Sequence, residues 1–210
     1  MADGATATAA RRTRSDAVEN RRRILEAARA AFAEGGVDGT SMHSIGRRAG
    51  VGQGTLYRHF EHKGALCSAL LSEEIEGFVG EMQRRTGGRG PALGRLKWFF
   101  GWVARFNEEN GPMLAAIRDA SGGDRRDELY GNPFYEGLRD TAVELLDEAV
   151  GNGEVAQDLD VECLADALLA ALDVDLYLYQ RHQLGMDRER IVGGMRTLLN
   201  GLRAGSRVPV

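Results

Sequence analysis

Apolar residues along most of this chain recur every three or four positions, which is the spacing of an amphipathic helix. The first clear example begins near Arg21, and its apolar face is formed by Ile24, Leu25, Ala28, Ala31 and Phe32. No segment alternates apolar and polar residues with the period of two that a half-exposed strand requires. The pattern therefore predicts an all-α chain.

Glycine and proline divide this pattern into about nine helices. They are predicted over residues 21–34, 42–49, 53–60, 62–83, 92–107, 112–120, 134–150, 160–183 and 188–202. The breaks between them include Gly35-Gly36, Asp38-Gly39, RRTGGRGPAL, Gly111-Pro112, Ser121-Gly122-Gly123, Gly131-Asn132-Pro133 and Gly151-Asn152-Gly153.

Two of the short helices, 42–49 and 53–60, have the pattern of a helix-turn-helix. Gly46 is the small residue that a steep helix crossing needs, and Gly50 suits a turn with positive φ. The inward positions are apolar: Ile45, Ala49, Val51 and Leu56, with Phe60 closing the core against Phe32 and Ile24. GVGQG is not the GxGxxG of a nucleotide loop, and neither a strand nor GK[ST] accompanies it.

The formal net charge of −4 conceals two opposite ends. Residues 1–66 carry 11 Lys and Arg against 7 Asp and Glu, a balance of +4, and the remainder carries 16 against 24, a balance of −8. A basic head on an acidic body predicts a polyanion-binding end and a different task for the rest.

The helix-turn-helix region of the sequence resembles that of a known family. The stretch TSMHSIGRRAGVGQGTLYRHFEHKGALCSALL is similar to the DNA-binding region of the tetracycline-repressor (TetR) family of bacterial transcriptional regulators. The residues that carry the resemblance are Thr40-Ser41, Ile45, Ala49-Gly50-Val51, Thr55-Leu56-Tyr57, His59-Phe60 and Lys63. The close match covers roughly residues 20–70. One departure is the presence of Gly52 and Gly54 in the first turn of the third helix, since each glycine costs about 1 kcal/mol relative to alanine.

The resemblance implies DNA contacts from Thr40, Ser41, His43, Gln53, Gly54, Thr55, Tyr57, Arg58, His59 and Lys63. Gln53 would pair with adenine and the Thr55 methyl would pack on thymine, while Gly54 would allow close approach. Tyr57, His59 and Lys63 would bind backbone phosphate, as would Thr40 or Ser41 at the start of the second helix. Taken singly, Tyr57 also reads as a core-edge aromatic and Lys63 as a solvated charge.

The same resemblance divides the chain into three parts. Residues 1–18 are expected to be a flexible basic arm, in which Arg11, Arg12 and Arg14 either contact phosphate or only keep the tail soluble. Residues 19–66 form the helix-turn-helix DNA-binding domain, and residues 67–210 form a larger helical domain for ligand binding and dimerisation.

Aromatic residues concentrate at KWFFGWVARF, where Trp98, Trp102 and Phe106 share one helix face. Together with polar anchors they predict a pocket for a small-molecule effector, lined by Trp98, Trp102, Phe106, Met113, Ile117, Phe134, Leu138, Asp173 and Tyr177. For any single residue of this set, an ordinary place in the core is the favoured alternative. Gln180 is a further candidate anchor.

The helices over 160–183 and 188–202 are expected to form the homodimer. Their apolar faces come from Leu164, Leu168, Leu172, Ile191, Met195, Leu198 and Leu199. In the resembling family the last two helices pair with their copies in a four-helix bundle. A two-fold dimer would read a palindromic operator in double-stranded DNA.

The remaining chemistry is sparse. No nucleophile or metalloprotease motif is present, Asp173-Val174-Asp175 lacks a second acidic cluster, and His59 with His62 lacks a third metal ligand. Cys67 and Cys163 stand far apart, and neither a secretion signal nor a membrane span is recognisable, which favours the cytoplasm. We therefore expect a ligand-responsive transcriptional repressor, with no enzyme activity, cofactor, metal or membrane partner. The alternatives are a regulator without ligand and a helical enzyme with a DNA-targeting head.

Overall fold

The structure is a computed structural model that describes residues 3–120 and 133–203, with the backbone alone for residues 3–14, Glu73 and Glu76. These ranges contain nine α-helices: α1 (Asp3–Gly39), α2 (Met42–Ala49), α3 (Gln53–His59), α4 (Lys63–Thr86), α5 (Ala92–Ala120), α6 (Pro133–Gly151), α7 (Val161–Ala170), α8 (Val174–His182) and α9 (Arg188–Gly201). Apart from one isolated bridge between Val155 and Arg203, the described residues form no β-structure. The prediction of an all-α fold is confirmed.

Helix α1 begins well before Arg21, where the apolar pattern starts, because its backbone is helical from Asp3. The predicted break at Gly35-Gly36 is present, since Gly36 has φ 70° and ψ 165° inside the α1 range. The side chains of the predicted arm, including Arg11, Arg12 and Arg14, lie outside the described residues. Its flexibility and its DNA contacts therefore stay predictions.

Two of the predicted divisions between helices differ from the observed ones. One difference removes a helix and the other adds one, so the number of helices equals the predicted number. The predicted helices 92–107 and 112–120 are a single helix, α5, which continues through Pro112. Proline removes one backbone hydrogen bond and costs about 3 kcal/mol in a helix interior. The flanking residues offset this cost by packing, because Asn110 and Gly111 are buried and a Cβ on Gly111 would lie 2.6 Å from Leu178 Cδ2.

Conversely, the predicted helix 160–183 is divided into α7 and α8. The Asp173 carboxylate accepts a hydrogen bond from the Asp175 amide at 2.9 Å and so caps α8. The buried Asn107 side chain donates to the Leu172 carbonyl at 2.6 Å. Backbone groups freed by the break thus have partners. The sequence contains no glycine or proline between residues 160 and 183 that would mark the break. The predicted breaks at Ser121-Gly122-Gly123 and at Gly131-Asn132, just before Pro133, lie outside the described residues.

The chain divides into two compact units. One comprises Met1–Glu73 with Pro112–Gly122, and the other comprises Glu74–Gly111 with Gly123–Val210. The structural division thus falls at Glu73, whereas the sequence placed a domain boundary after residue 66 and assigned no later segment to the first domain.

The core of the first unit is built as the helix-turn-helix pattern requires. Its buried members are Ile24, Ala27, Ala28, Ile45, Ala49, Leu56, Phe60, Leu66 and Leu70. A Cβ on Gly46 would lie 3.2 Å from Leu56 Cδ2 and 2.8 Å from the Gln53 amide nitrogen, so α2 and α3 cross where only glycine fits without a shift. Gly50 has φ 64° and ends α2 in the left-handed conformation.

A second close approach in the first unit joins α4 to the last part of α5. A Cβ on Gly64 would lie 2.5 Å from Ala120 Cβ and 2.9 Å from the Ala116 carbonyl oxygen. The two helices therefore pack at Gly64 with almost no space between their backbones.

The second unit has its own core, whose largest fully buried side chains are Tyr177, Phe99, Phe100, Leu96, Leu146 and Leu199. The Glu154 carboxylate accepts hydrogen bonds from the Ala92 and Leu93 amides at 2.8 and 3.0 Å and fixes the start of α5. None of the helices in the described parts of the chain is long and apolar enough to cross a membrane.

The residues predicted to form the dimer face are mostly used in this core. Leu168, Leu172, Ile191, Met195 and Leu199 are buried within the chain. Leu164 is half-buried, whereas Leu198 is 56% exposed. The large apolar side chains that the second unit exposes among its described residues are Leu176, Tyr179, Leu184 and Leu198. Of the seven predicted residues, Leu198 is the one that is largely exposed. The contact with a second copy stays a prediction.

Substitution of Gly50 by alanine tests the turn. A residue with a Cβ at φ 64° costs about 1–2 kcal/mol, and the new Cβ would also lie 2.6 Å from Arg23 Nη2. We expect Gly50→Ala to lower the melting temperature. Gly54→Ala is the matched control, because a Cβ there meets nothing within 4 Å and alanine favours the helix by about 1 kcal/mol. Equal melting temperatures for the two variants would contradict the assigned role of Gly50.

Candidate DNA-binding site

The helix-turn-helix is fixed at three backbone points. The Ser41 hydroxyl caps α2 by accepting from the Ser44 amide at 3.1 Å. The Gly50 amide donates to the Arg47 and Gly46 carbonyls and closes the turn. The Arg23 guanidinium of α1 donates to the Ala49 carbonyl and, at 3.3 Å, to the Gly50 carbonyl. The turn before α3 is therefore braced from α1 as well as closed locally.

Helix α3 is attached to the rest of the first unit mainly by one side chain. Leu56 is fully buried, and it is the one buried residue among the seven of this helix. Gly54, Tyr57 and Arg58 are exposed, with Tyr57 50% accessible. Thr55 and His59 are half-buried. Tyr57 is not among the residues of the core or those packed against it, and half of its surface is exposed to solvent. Its exposure therefore argues against the interpretation as a core-edge aromatic.

Thr40 has a different position from the one expected of a phosphate ligand. It is 6% exposed, and its hydroxyl donates to the Gly36 carbonyl at 2.7 Å. Its hydroxyl also lies 3.3 Å from the Ala31 carbonyl. Thr40 thus satisfies carbonyls at the end of the long part of α1, and Ser41 is the exposed residue at the start of α2.

Gln53 and His43 are brought together across the turn. The Gln53 amide nitrogen lies 3.4 Å from the His43 carbonyl oxygen and packs over Gly46. The Gln53 side chain is therefore folded back onto α2, and it must rotate outward to reach a base edge. The His43 side chain is exposed.

Lys63, at the first residue of α4, reaches back to the end of α1. Its ammonium donates to the Val37 carbonyl at 2.8 Å and lies 3.5 Å from the Asp38 carbonyl. An ammonium has three donors, so this contact uses part of its capacity. Lys63 is thus neither a free solvated charge nor a side chain dedicated to phosphate.

Sequence reasoning missed three contacts made by arginines of the first unit. Arg23 braces the turn, and Arg48 makes a two-point ion pair with Glu34, with both N–O distances 2.6 Å. Arg21 lies 4.7 Å from the centre of the Phe60 ring. These contacts join positions 14 to 39 residues apart, and only the basic character of the segment gave a sign of them.

The predicted effector residues fall into separate groups, although several of the aromatic ones are neighbours. Met113 packs against the core of the first unit. Ile117 belongs to the same unit. In the second unit, Trp102 and Phe106 are buried in an aromatic cluster with Phe78, whose ring stacks on Trp102 and lies 4.3 Å from Phe106 between centres.

Trp98 borders this cluster, 6.2 Å from Trp102 between ring centres. Phe134 and Leu138 instead line a groove of about 660 Å³ between α4 and α6. The groove is lined mainly by residues that the sequence prediction did not contain, among them Val79, Met82, Gln83, Asp140 and Glu144.

Asp173 and Tyr177 both have partners within the second unit. Asp173 caps α8, as described above. The buried Tyr177 hydroxyl donates to Glu108 at 2.6 Å, and Arg181 donates to the same carboxylate at 2.7 and 2.6 Å. The Arg181 hydrogen bonds lower the pKa of Glu108 to about 2, and Tyr177 adds to this effect against the opposing effect of burial. The pKa of Tyr177 is raised by its burial and by Glu108.

Metal binding has no support in the described parts of the chain, which contain no group of three His, Cys, Asp or Glu side chains able to hold an ion. His62 instead accepts a hydrogen bond from the Ala65 amide at 3.0 Å through Nδ1, and so caps the first turn of α4. The Nδ1 atom of one of the two histidines that sequence spacing paired is thus used within α4.

The fold defines the class of the protein: it is a helix-turn-helix DNA-binding protein. Residues 24–70 match the sequence model of the family described as "Bacterial regulatory proteins, tetR family". HTH-type transcriptional regulator SAB2452 of Staphylococcus aureus (strain bovine RF122 / ET3-1) is 29% identical over 167 residues, which cover 80% of this chain and 85% of that protein.

Solved structures agree with this classification. A TetR-family transcriptional regulator from Pectobacterium atrosepticum (ECA1819) is 25% identical with a TM-score of 0.63, covering 92% of this chain and 99% of that one. A gamma-butyrolactone receptor (ArpA like protein) is 26% identical with a TM-score of 0.60, covering 91% and 92%. Over its helix-turn-helix region the chain thus matches the TetR family of bacterial transcriptional regulators, and over most of its length it is similar to transcriptional regulators of that type.

The cluster of Glu108, Tyr177 and Arg181 predicts a pH dependence of stability. A carboxyl group whose pKa falls from about 4.3 to about 2 on folding stabilises the protein above pH 4.3, and this contribution is lost as the pH falls towards 2. We expect Glu108→Gln to lower the melting temperature at pH 7 and to flatten its decline between pH 4.5 and pH 2. Glu109→Gln, at the neighbouring exposed position, is the control. A parallel decline for Glu108→Gln and the parent chain would contradict the assignment.

Proposed function

We propose that this chain is a dimeric repressor that binds a palindromic operator and leaves it when a small-molecule effector binds. The observation that carries the DNA-binding part is the attachment of α3 mainly by Leu56, which leaves its other side chains exposed or only half-buried. A recognition helix needs this arrangement, because its side chains must reach base edges and phosphates in the major groove.

The contacts can be assigned by chemistry. Tyr57 and Arg58 have the exposure that a phosphate contact needs, and His59 lies beside them. Thr55 and a rotated Gln53 would read bases, while Gly54 would allow close approach. Ser41 and His43 lie at the exposed start of α2. Lys63 would give its remaining donor to phosphate, whereas we assign Thr40 a structural role.

Dimerisation is proposed through the exposed apolar residues of the last two helices and their connection. Leu176, Tyr179, Leu184 and Leu198 are between 41% and 56% exposed, although side chains of this size usually have a partner. A two-fold contact through this face would pair two recognition helices for two half-sites of one operator.

Effector control is proposed as a population shift. The dimer samples a spacing of its recognition helices that fits the operator and another that does not, and the effector binds the second state more tightly. A change of operator occupancy from 99:1 to 1:99 requires about 5.5 kcal/mol of differential affinity. The similarity to a gamma-butyrolactone receptor supports a small-molecule effector without identifying it.

Two further properties follow from this role. The relatives compared above are named as transcriptional regulators or as a receptor, so we propose that the chain has no enzyme activity. Since its proposed target is bacterial DNA, we place its action in the cytoplasm.

Tyr57→Phe tests the DNA-binding part. Loss of one hydroxyl to phosphate should weaken binding by about 1–2 kcal/mol on every duplex, whereas the melting temperature should be unchanged because this hydroxyl is exposed. Fluorescence anisotropy with two unrelated duplexes measures the effect. Tyr135→Phe, at a tyrosine of the second unit outside the proposed DNA and dimer contacts, is the control. Identical affinities for Tyr57→Phe and the parent chain would remove Tyr57 from the phosphate contacts.

Leu198→Glu tests the dimer. A carboxylate buried without a partner at the contact costs several kcal/mol, so the variant should sediment as a monomer and bind DNA more weakly. The control is Val18→Glu, which makes a similar change at an exposed apolar residue of α1. If Leu198→Glu and the parent chain sediment alike as dimers, this face is not the interface.

A further inference from the structure

The groove between α4 and α6 lies wholly within the second unit and has two chemically different sides. Its volume of about 660 Å³ falls in the range of small-molecule sites. From α4 it is lined by Val79, Met82, Gln83 and Thr86, which recur at the spacing of one helix face. This face and the facing side of α6 leave a space that no side chain of either helix fills.

The first side of the groove is apolar. Val79 and Met82 of α4 face Phe134, Leu138 and Leu145 of α6 across the groove. The Phe134 ring also lies 5.0 Å from Phe106 between centres, so this side continues into the buried aromatic cluster. An apolar ligand would therefore gain affinity here by leaving water.

The second side is acidic. Asp140, Glu144 and Glu148 follow one another at intervals of four residues along α6 and all line the groove. Arg95 is the one basic residue in the lining, and its guanidinium is paired with Glu148 and donates to the Thr86 carbonyl. Within the described ranges, Asp140 and Glu144 have no cationic partner. The groove thus carries two carboxylates whose charge the protein leaves uncompensated.

We propose that this groove is the effector site and that its ligand class is a lipophilic cation, an organic molecule with a bulky apolar body and one positive charge. The inference rests on the proposed function, because it supplies the effector of that function. The apolar side holds the body and Asp140 with Glu144 hold the charge. A hydrophobic anion is disfavoured, since it meets two carboxylates while the one cation in the lining already has a partner.

Two probes of similar size and opposite charge test the charge selection, tetraphenylphosphonium and tetraphenylborate. Titration calorimetry with the purified full-length chain measures both affinities at low and high salt. We expect the cation to bind at least about tenfold more tightly than the anion, and its advantage to shrink at high salt because both carboxylates are solvent-accessible.

Variants then locate the site. The double substitution Asp140→Asn with Glu144→Gln should weaken tetraphenylphosphonium binding about tenfold and leave tetraphenylborate binding unchanged or tighter. The matched control is Asp147→Asn with Glu136→Gln, because these residues make the same chemical change on exposed positions of α6 outside the groove. The control should bind the cation as the parent chain does.

Equal affinity for the two probes, no binding of the cation, or equal losses in both double variants would overturn the proposal. Operator binding measured on the same samples keeps the two proposals separate. A chain that binds DNA but not the cation retains its proposed function and loses this ligand class. A chain that binds the cation in the groove but binds no DNA retains this ligand class and loses its proposed function.

Discussion

The packing of Leu56 against α2 at Gly46 is the contact on which the DNA-binding surface depends. Because this is the one buried side chain of α3, the remaining six residues are released from core packing and become available for a ligand. A Cβ at position 46 would force the Gln53 and Leu56 side chains to shift, and the positive φ of the turn favours glycine at position 50. The brace from Arg23 then holds the backbone of that turn. A short helix with little stability of its own thus obtains a defined position from its neighbours.

The sequence was sufficient for what local spacing determines. The helical class, the turn at Gly50 and the crossing at Gly46 follow from residue type and interval, and all are present. Side-chain direction was not predictable, because Thr40 and Lys63 bind carbonyls of α1 that are distant along the chain or lie across a turn. The predicted helix boundaries were wrong where tertiary contacts outweighed local preference. Examples are Pro112, which lies inside α5, and the break that the Asp173 cap ends.

The predicted effector pocket stays a prediction, and its aromatic residues show a related limit of sequence patterns. Aromatic residues on one helix face indicate burial, but the pattern does not distinguish a filled core from a lined space. Trp102 and Phe106 pack against Phe78 and fill their surroundings themselves. The groove is instead lined by residues of α4 and α6 that no sequence motif marked. Its acidic side consists of carboxylates four residues apart, a spacing that is common on solvent-facing helices. These carboxylates line a groove only because α4 lies opposite α6.

The two glycines at the start of α3 have a thermodynamic consequence. Neither is needed for packing, since a Cβ at Gly52 or Gly54 meets nothing within 4 Å. The helix also begins without a side-chain cap, so we expect its first turn to be less stable than its neighbours and its amides to exchange faster with solvent. Association with DNA must then order this turn as well as dock it. The binding enthalpy should be large and partly cancelled by an entropic loss, and the heat-capacity change should exceed that expected from the contact area alone.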